Sequence, residues 1–377
     1  MSITVHGALA PGFEPVRAAF EDNVAERGEL GAAFALMRDG EILCDLRAGW
    51  ADKARTRPWS ADTLVPVFST GKAVTALVVA WMVDQGRLDY DAPLSAVWPD
   101  FAAQGKGAVT LAEALSHQAG LSGPGDDIAP DDWFDREKME AHFAARAPMW
   151  PLGKGSGYHP LSFGVLADAA VRRADPEGRT VGELLREVIA GPRAIDCHIG
   201  LPESEHARAA EHVLPPRPPH LGKINAEKTA AFLRPGASPG RRGAAAWRSA
   251  ELPAANAHAT ALSLARLMAP FACNGRLDGE TFLGADTLAA ALKPRISGPD
   301  RVLPFDLSFA AGVMINRDSA AFGPEPSAVG HYGFGGSCAF ADPVRGLSGA
   351  YVMNRQMDVL VGDARARALI EAAYRCL

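Results

Sequence analysis

Pro66-Val67-Phe68-Ser69-Thr70-Gly71-Lys72-Ala73-Val74-Thr75-Ala76-Leu77 is the stretch around which the chain is organised. The run from Ala73 to Val83 is broken only by Thr75 and is apolar on every side, as expected of a helix buried at the centre of a domain. Positions i and i+3 share a helix face, so Ser69 and Lys72 can touch. A serine at a helix N-terminus meets free N–H groups and a dipole that favour developing negative charge. A hydroxyl, a nearby base and ready-made anion stabilisation are the ingredients of covalent acyl transfer. The plainer alternative is a capping serine with an exposed lysine one turn on. A phosphate-binding loop is excluded: Pro66 stands where the first glycine is needed, and Ala73 replaces the Mg-binding hydroxyl. No Gly-x-Ser-x-Gly occurs, so an α/β-hydrolase reading has no nucleophile.

The surrounding composition is that of an ordinary globular protein, with 48% hydrophobic and 22% charged residues among 377. That length gives ample core for one large domain or two interleaved lobes. A net charge of -6 without a basic stripe argues against nucleic acid as a partner. Cys44, Cys197, Cys273, Cys338 and Cys376 are scattered and odd in number, so no disulfide framework or zinc ribbon is expected. His206 and His212 lack metal-ligand spacing, and neither a metal nor another cofactor is expected. Ala73 to Val83 is too short to span a bilayer. The residues from Met1 to Gly7 have neither a basic nor an apolar region of a secretory signal, which reads as cytoplasmic.

Outward from Ser69, the spacing of Phe13, Val16, Phe20 and Val24 predicts an amphipathic helix. Asp39-Gly40 between Ala32 to Met37 and Glu41 to Leu46 predicts a hairpin. Thr110 to Glu113 and Thr180 to Glu183 read as capping boxes. Helices are expected over Trp133 to Arg146 and Leu161 to Ala174. Pro202 to Ala250 is poor in pattern and reads as lid or binding loops. Thr260 caps an apolar helix through Met268. Strands are expected over Leu307 to Ile315, Gly336 to Phe340 and Leu347 to Met353, and Asp363 caps a last helix to Tyr374. Strands at both ends and helices between imply an α/β (α+β) fold with one central antiparallel sheet. Residues 1–87 and 250–377 would form the sheet domain, and 88–249 an inserted helical lobe with lid loops. The site would lie between them.

Two further motifs complete an ordered set. Tyr158 stands in Gly157-Tyr158-His159-Pro160, and His331-Tyr332-Gly333 precedes Phe334-Gly335-Gly336-Ser337. Together with Ser69-Thr70-Gly71-Lys72 they resemble the serine β-lactamase and penicillin-binding-protein superfamily. Leu115 to Leu121 and Ala255 to Thr260 are similar to two more of its segments, so the resemblance covers nearly the whole chain. A tyrosine second motif resembles class C enzymes. Pro160 and His331, however, stand where those enzymes carry an asparagine and a lysine that hold a β-lactam, and a histidine there looks more like the family VIII carboxylesterases.

The resemblance implies a serine hydrolase acting on carboxylic esters of short or medium acyl chains, small-molecule substrates. β-Lactamase, D-amino-acid peptidase or acyltransferase activity on the same scaffold, or a non-catalytic binding protein, are the alternatives. Ser69 would be the nucleophile, with Lys72 and Tyr158 as a coupled base and acid. The backbone N–H groups of Ser69 and Phe334 would form the oxyanion hole. His331, Tyr332, Gly333 and Gly335 would line the substrate site. A neighbouring cation should lower the Tyr158 pKa and burial should raise it, while burial lowers that of Lys72. Which of the two is the base stays open. A neutral His331 would suit uncharged esters. The oligomeric state is not readable.

Overall fold

The computed structural model describes residues 4–377. A hairpin forms where Asp39 and Gly40 both take positive φ, the conformation that tight two-residue turns require. It joins β2 (Gly31–Arg38) to β3 (Glu41–Gly49), and β1 (His6–Leu9) pairs outside β3. The remaining strands come from the far end of the chain: β4 (Ile296–Pro299), β5 (Asp306–Phe309), β6 (Met314–Ile315), β7 (Val329–Tyr332), β8 (Cys338–Asp342) and β9 (Leu347–Met353). They complete a nine-stranded sheet in the order β1-β3-β2-β9-β8-β7-β6-β5-β4, antiparallel throughout. The expected union of N-terminal hairpin and C-terminal strands is thus observed.

Alternation along the strands assigns each side chain to one of two cores. Ala33, Ala35 and Met37 of β2 face one side with Ala339, Ala341 and Ala350. Phe34, Leu36, Phe340 and Tyr351 face the other. The alanine face lets α4 (Ala261–Ala272) lie against β2, β8 and β9, with α2 (Gly71–Asp84) behind it. The face of large side chains is covered by α1 (Glu14–Glu26) and α5 (Ala364–Arg375). α2 is buried from Gly71 through Ala80, Lys72 and Thr75 included, as a helix apolar on nearly every side requires. It packs on α3 (Ser162–Ala174) of the helical middle.

Both capping boxes form, with Thr110 accepting from the Glu113 amide and Thr180 from that of Glu183. Three expectations shift. Trp133 to Arg146 is split by Asp135, which ends one turn and caps the helix Arg136–Ala145. Leu307 to Ile315 is two strands, because the chain reverses through Gly312 at φ 93. The helix after Thr260 runs past Met268 to Ala272 and carries Pro270 inside it.

Candidate active site

Ser69 does not sit in the first turn of α2. It lies in a tight helical turn, Phe68–Thr70, that leads into the helix. Phe68 holds φ 48, an uncommon conformation for a bulky residue. The neighbourhood fixes it: the Val67 amide donates to the Ala257 carbonyl, and the Val67 carbonyl accepts from the Ser337 hydroxyl at 2.9 Å. Thr70 Oγ1 lies 3.0 Å from Ser337 Oγ, whose proton goes to Val67, so Thr70 donates. Ser337 therefore ties the Ser69 turn to the turn that leaves β7.

Lys72 is fully buried and lies in no ion pair among the described residues. Its Nζ is 2.9 Å from Ser69 Oγ, 2.8 Å from the Pro160 carbonyl and 3.0 Å from the Ala254 carbonyl. Segment 253–257 runs beside α2, also accepting the Thr75 hydroxyl at Pro253, and a Cβ on Gly71 would meet Ala257 Cβ at 2.8 Å. Burial without a carboxylate holds the Lys72 pKa well below the ordinary lysine value.

The Tyr158 ring lies 4.9 Å from Lys72 Nζ. Burial pushes its phenol above the ordinary range, and its hydrogen bond with Ser69 pulls the other way without prevailing. Burial sets the direction at both residues, and the nearby Asp300 carboxylate adds to it at Tyr158. Two histidines wall the tyrosine in. His117, in a left-handed backbone conformation, packs its ring 4.7 Å from that of Tyr158. His117 Nδ1 accepts the His159 amide, and His159 Nε2 accepts the Leu121 amide while Nδ1 donates to the Gly157 carbonyl. Each ring thus uses one nitrogen as an acceptor, which requires the neutral form. Burial agrees, pushing His117 well below its ordinary value and His159 down to about 4. Asp300 adds a support that no sequence pattern marks. Its carboxylate accepts the amides of Tyr158, Val302 and Leu303 and the Ser156 hydroxyl.

The third motif differs from expectation in detail. His331 and Tyr332 end β7, and Phe334 lies in the turn to β8 rather than on a strand. His331 Nδ1 donates to the Tyr332 carbonyl at 2.8 Å, while Nε2 is buried without a partner. Burial, then the nearby Lys72, push His331 down to about 3, so the ring is neutral. Tyr332 is among the residues lining the cavity, while its ring stacks on Phe322 and its hydroxyl donates to Ala321. Gly333 and Gly335 do not line the cavity. A Cβ on Gly333 would strike Val67 O at 2.2 Å, and one on Gly335, at φ 88, would strike Gln356 at 2.4 Å. The Gly335 amide is spent on Val359. By contrast, neither the Ser69 nor the Phe334 amide has an acceptor among the described residues. Gln356 holds the Phe334 carbonyl at 2.8 Å, and Arg365 holds that of Gly335 at 3.2 Å.

These groups open into a cavity of about 260 Å³. Ser69, Tyr158 and His331 lie on its wall, and Pro218, Pro219, Leu221, Phe232 and Leu233 of the pattern-poor segment roof it. No acidic residue lines it. Among the described residues there is no cluster able to hold a metal, and all five cysteines are free.

The family model described as Beta-lactamase matches residues 16–374. The chain belongs to the β-lactamase family. Within it, the chain is similar to the crystal structure of a penicillin-binding-protein homolog from Caulobacter crescentus, at 50% identity and a TM-score of 0.96, covering 99% of this chain and 100% of that one. It is similar to the crystal structure of a family VIII carboxylesterase, at 36% identity and a TM-score of 0.93 with the same coverage. The esterase/beta-lactamase LipL of Mycobacterium tuberculosis is 36% identical over 374 residues, 95% of this chain and 84% of that protein. No helix among the described residues is long and apolar enough to cross a membrane.

Proposed function

We propose that the chain is a serine carboxylesterase working through an acyl-enzyme on Ser69, with Lys72 as the base and Tyr158 as the acid. Its relatives named as esterases support the reaction class. The surroundings of Lys72 carry the assignment of roles. Two of its three neighbours are carbonyls, which only accept. A neutral amine gives both protons to them and turns its lone pair to Ser69 Oγ. The lowered pKa makes that neutral form accessible. A phenol held above its ordinary range is protonated and suited to donate.

Ser69 Oγ then bonds to the ester carbonyl carbon while its proton passes to Lys72. The oxyanion is received by the free amides of Ser69 and Phe334. Collapse breaks the bond to the alcohol oxygen, which takes a proton from Tyr158, and Lys72 restores the phenol. Water attacks the acyl-enzyme by the reverse proton route and releases the acid.

Short and medium acyl chains suit a mostly apolar cavity of this size. Esters should exceed β-lactams as substrates: Pro160 offers only a carbonyl, which Lys72 occupies, and His331 is neutral. Incubation with a fluorophosphonate and intact mass should give one adduct, absent in Ser69→Ala, which also loses p-nitrophenyl butyrate hydrolysis. Wild-type turnover in that variant refutes the nucleophile, and a higher kcat/KM for a cephalosporin than for the butyrate refutes the ester preference.

A further inference from the structure

Arg242 lines the cavity that Ser69 opens into, with its guanidinium 6.0 Å from the centroid of the Phe68 ring and 5.7 Å from that of Phe334. Those rings belong to the residue before Ser69 and to Phe334, whose amide has no acceptor among the described residues, and they meet edge to face at 6.1 Å. The cation therefore stands beside the rings that flank Ser69 on the cavity wall. It has five N–H donors, and among the described residues none of them meets an acceptor and no carboxylate pairs with the charge. The other arginines of segment 202–250 behave differently. Arg208 bonds Glu205 and Asp196, Arg217 pairs with Asp358 at 3.2 Å, Arg234 with Asp126 at 2.9 Å, Arg241 with Asp131 at 2.7 Å, and Arg248 donates to the His206 carbonyl at 3.4 Å. Arg242 is exposed, lines the cavity and has no such protein partner among the described residues.

The rest of the cavity offers no competing cation. Lys72 spends its amine on Ser69 and two carbonyls, and His331 is neutral. A guanidinium stacked on aromatic rings is weakly hydrated and presents a planar fork to a carboxylate. We propose that Arg242 binds a free carboxylate carried by the substrate, so that the preferred esters are half-esters of dicarboxylic acids and similar acid-bearing esters. This deepens the carboxylesterase reading and departs from the expectation of uncharged substrates, which considered only His331.

The test compares p-nitrophenyl hydrogen glutarate with its methyl-capped diester. The wild-type enzyme should favour the acid in kcat/KM. In Arg242→Gln the acid-to-diester ratio should fall at least tenfold, mostly through KM, with part of it retained in Arg242→Lys. A ratio that does not move overturns the proposal. Calorimetry on Ser69→Ala with hexanoate and hexanamide reads the same contact without turnover: tighter, salt-sensitive carboxylate binding supports it, and equal affinity overturns it. If the wild type hydrolyses neither ester, the esterase reading fails, and the calorimetric comparison still decides the role of Arg242.

Discussion

Lys72 is the residue on which the pH behaviour turns. The proposed mechanism needs its neutral form, and burial lowers its pKa, so kcat/KM should rise with pH through a limb well below the ordinary lysine value. His331, His159 and His117 are held at about 3, about 4 and well below 6.5. A limb above pH 5 therefore belongs to neither His331 nor His159, and the pH–rate profile of His331→Gln should keep it in place. Lys72→Arg, always charged, and Tyr158→Phe should each lose about a hundredfold or more in kcat, with a double variant well short of the product. A multiplicative double loss would argue against a shared proton path. That Ser69 and Lys72 touch was legible from their i, i+3 spacing, and Tyr158 beside them was legible through the family resemblance. Arg242 and Asp300 were not, since their meaning lies in what surrounds them. One is an arginine among several in a patternless segment, and the other is a carboxylate whose four donors come from two separate stretches.

The β2–β3 hairpin and the strands β5, β6, β8 and β9 were legible through alternation and turn residues, whereas the interior strand β7 was not read as a strand. The edge strands β1 and β4 went unread because they are short and largely exposed, so no apolar pattern marks them. The turn from β7 to β8 was read as glycines making room for substrate. In the structure those glycines make room for protein instead, letting Gln356 and Ser337 come close enough to grip the turn. Gln356 thereby becomes a positioning residue for the Phe334 amide. Gln356→Leu should lower kcat about tenfold, less than loss of a whole oxyanion donor, with KM changed far less. Equal changes in both would instead mean that Gln356 shapes substrate binding.

For the whole molecule, the two faces of the sheet carry different tolerances. The alanine face admits α4 at close range, so Ala350→Leu should destabilise by roughly 1–3 kcal/mol through overpacking, measured by urea denaturation. Beneath the other face, burial pushes Glu29 up to about 7 against the pull of Arg365 and Tyr351. An acid whose folded pKa is raised above its unfolded value weakens the fold as pH rises from about 4.5 to about 7, because the unfolded chain ionises first. Glu29→Gln should flatten that slope in stability measured across the same range, and an unchanged slope would remove Glu29 as its source. Tyr351 bonds this same Glu29 across 322 positions of sequence, and β9 is the only neighbour that closes the free edge of β2. The order of synthesis follows from that pairing. At about 5–20 residues per second, a ribosome needs on the order of tens of seconds after finishing the hairpin before β9 emerges. Throughout that interval β2 offers an unpaired edge, apolar from Gly31 to Met37, to any passing strand. Nascent chains arrested before Leu347 should accordingly be digested readily by protease and held by chaperones, and release past Met353 should end both.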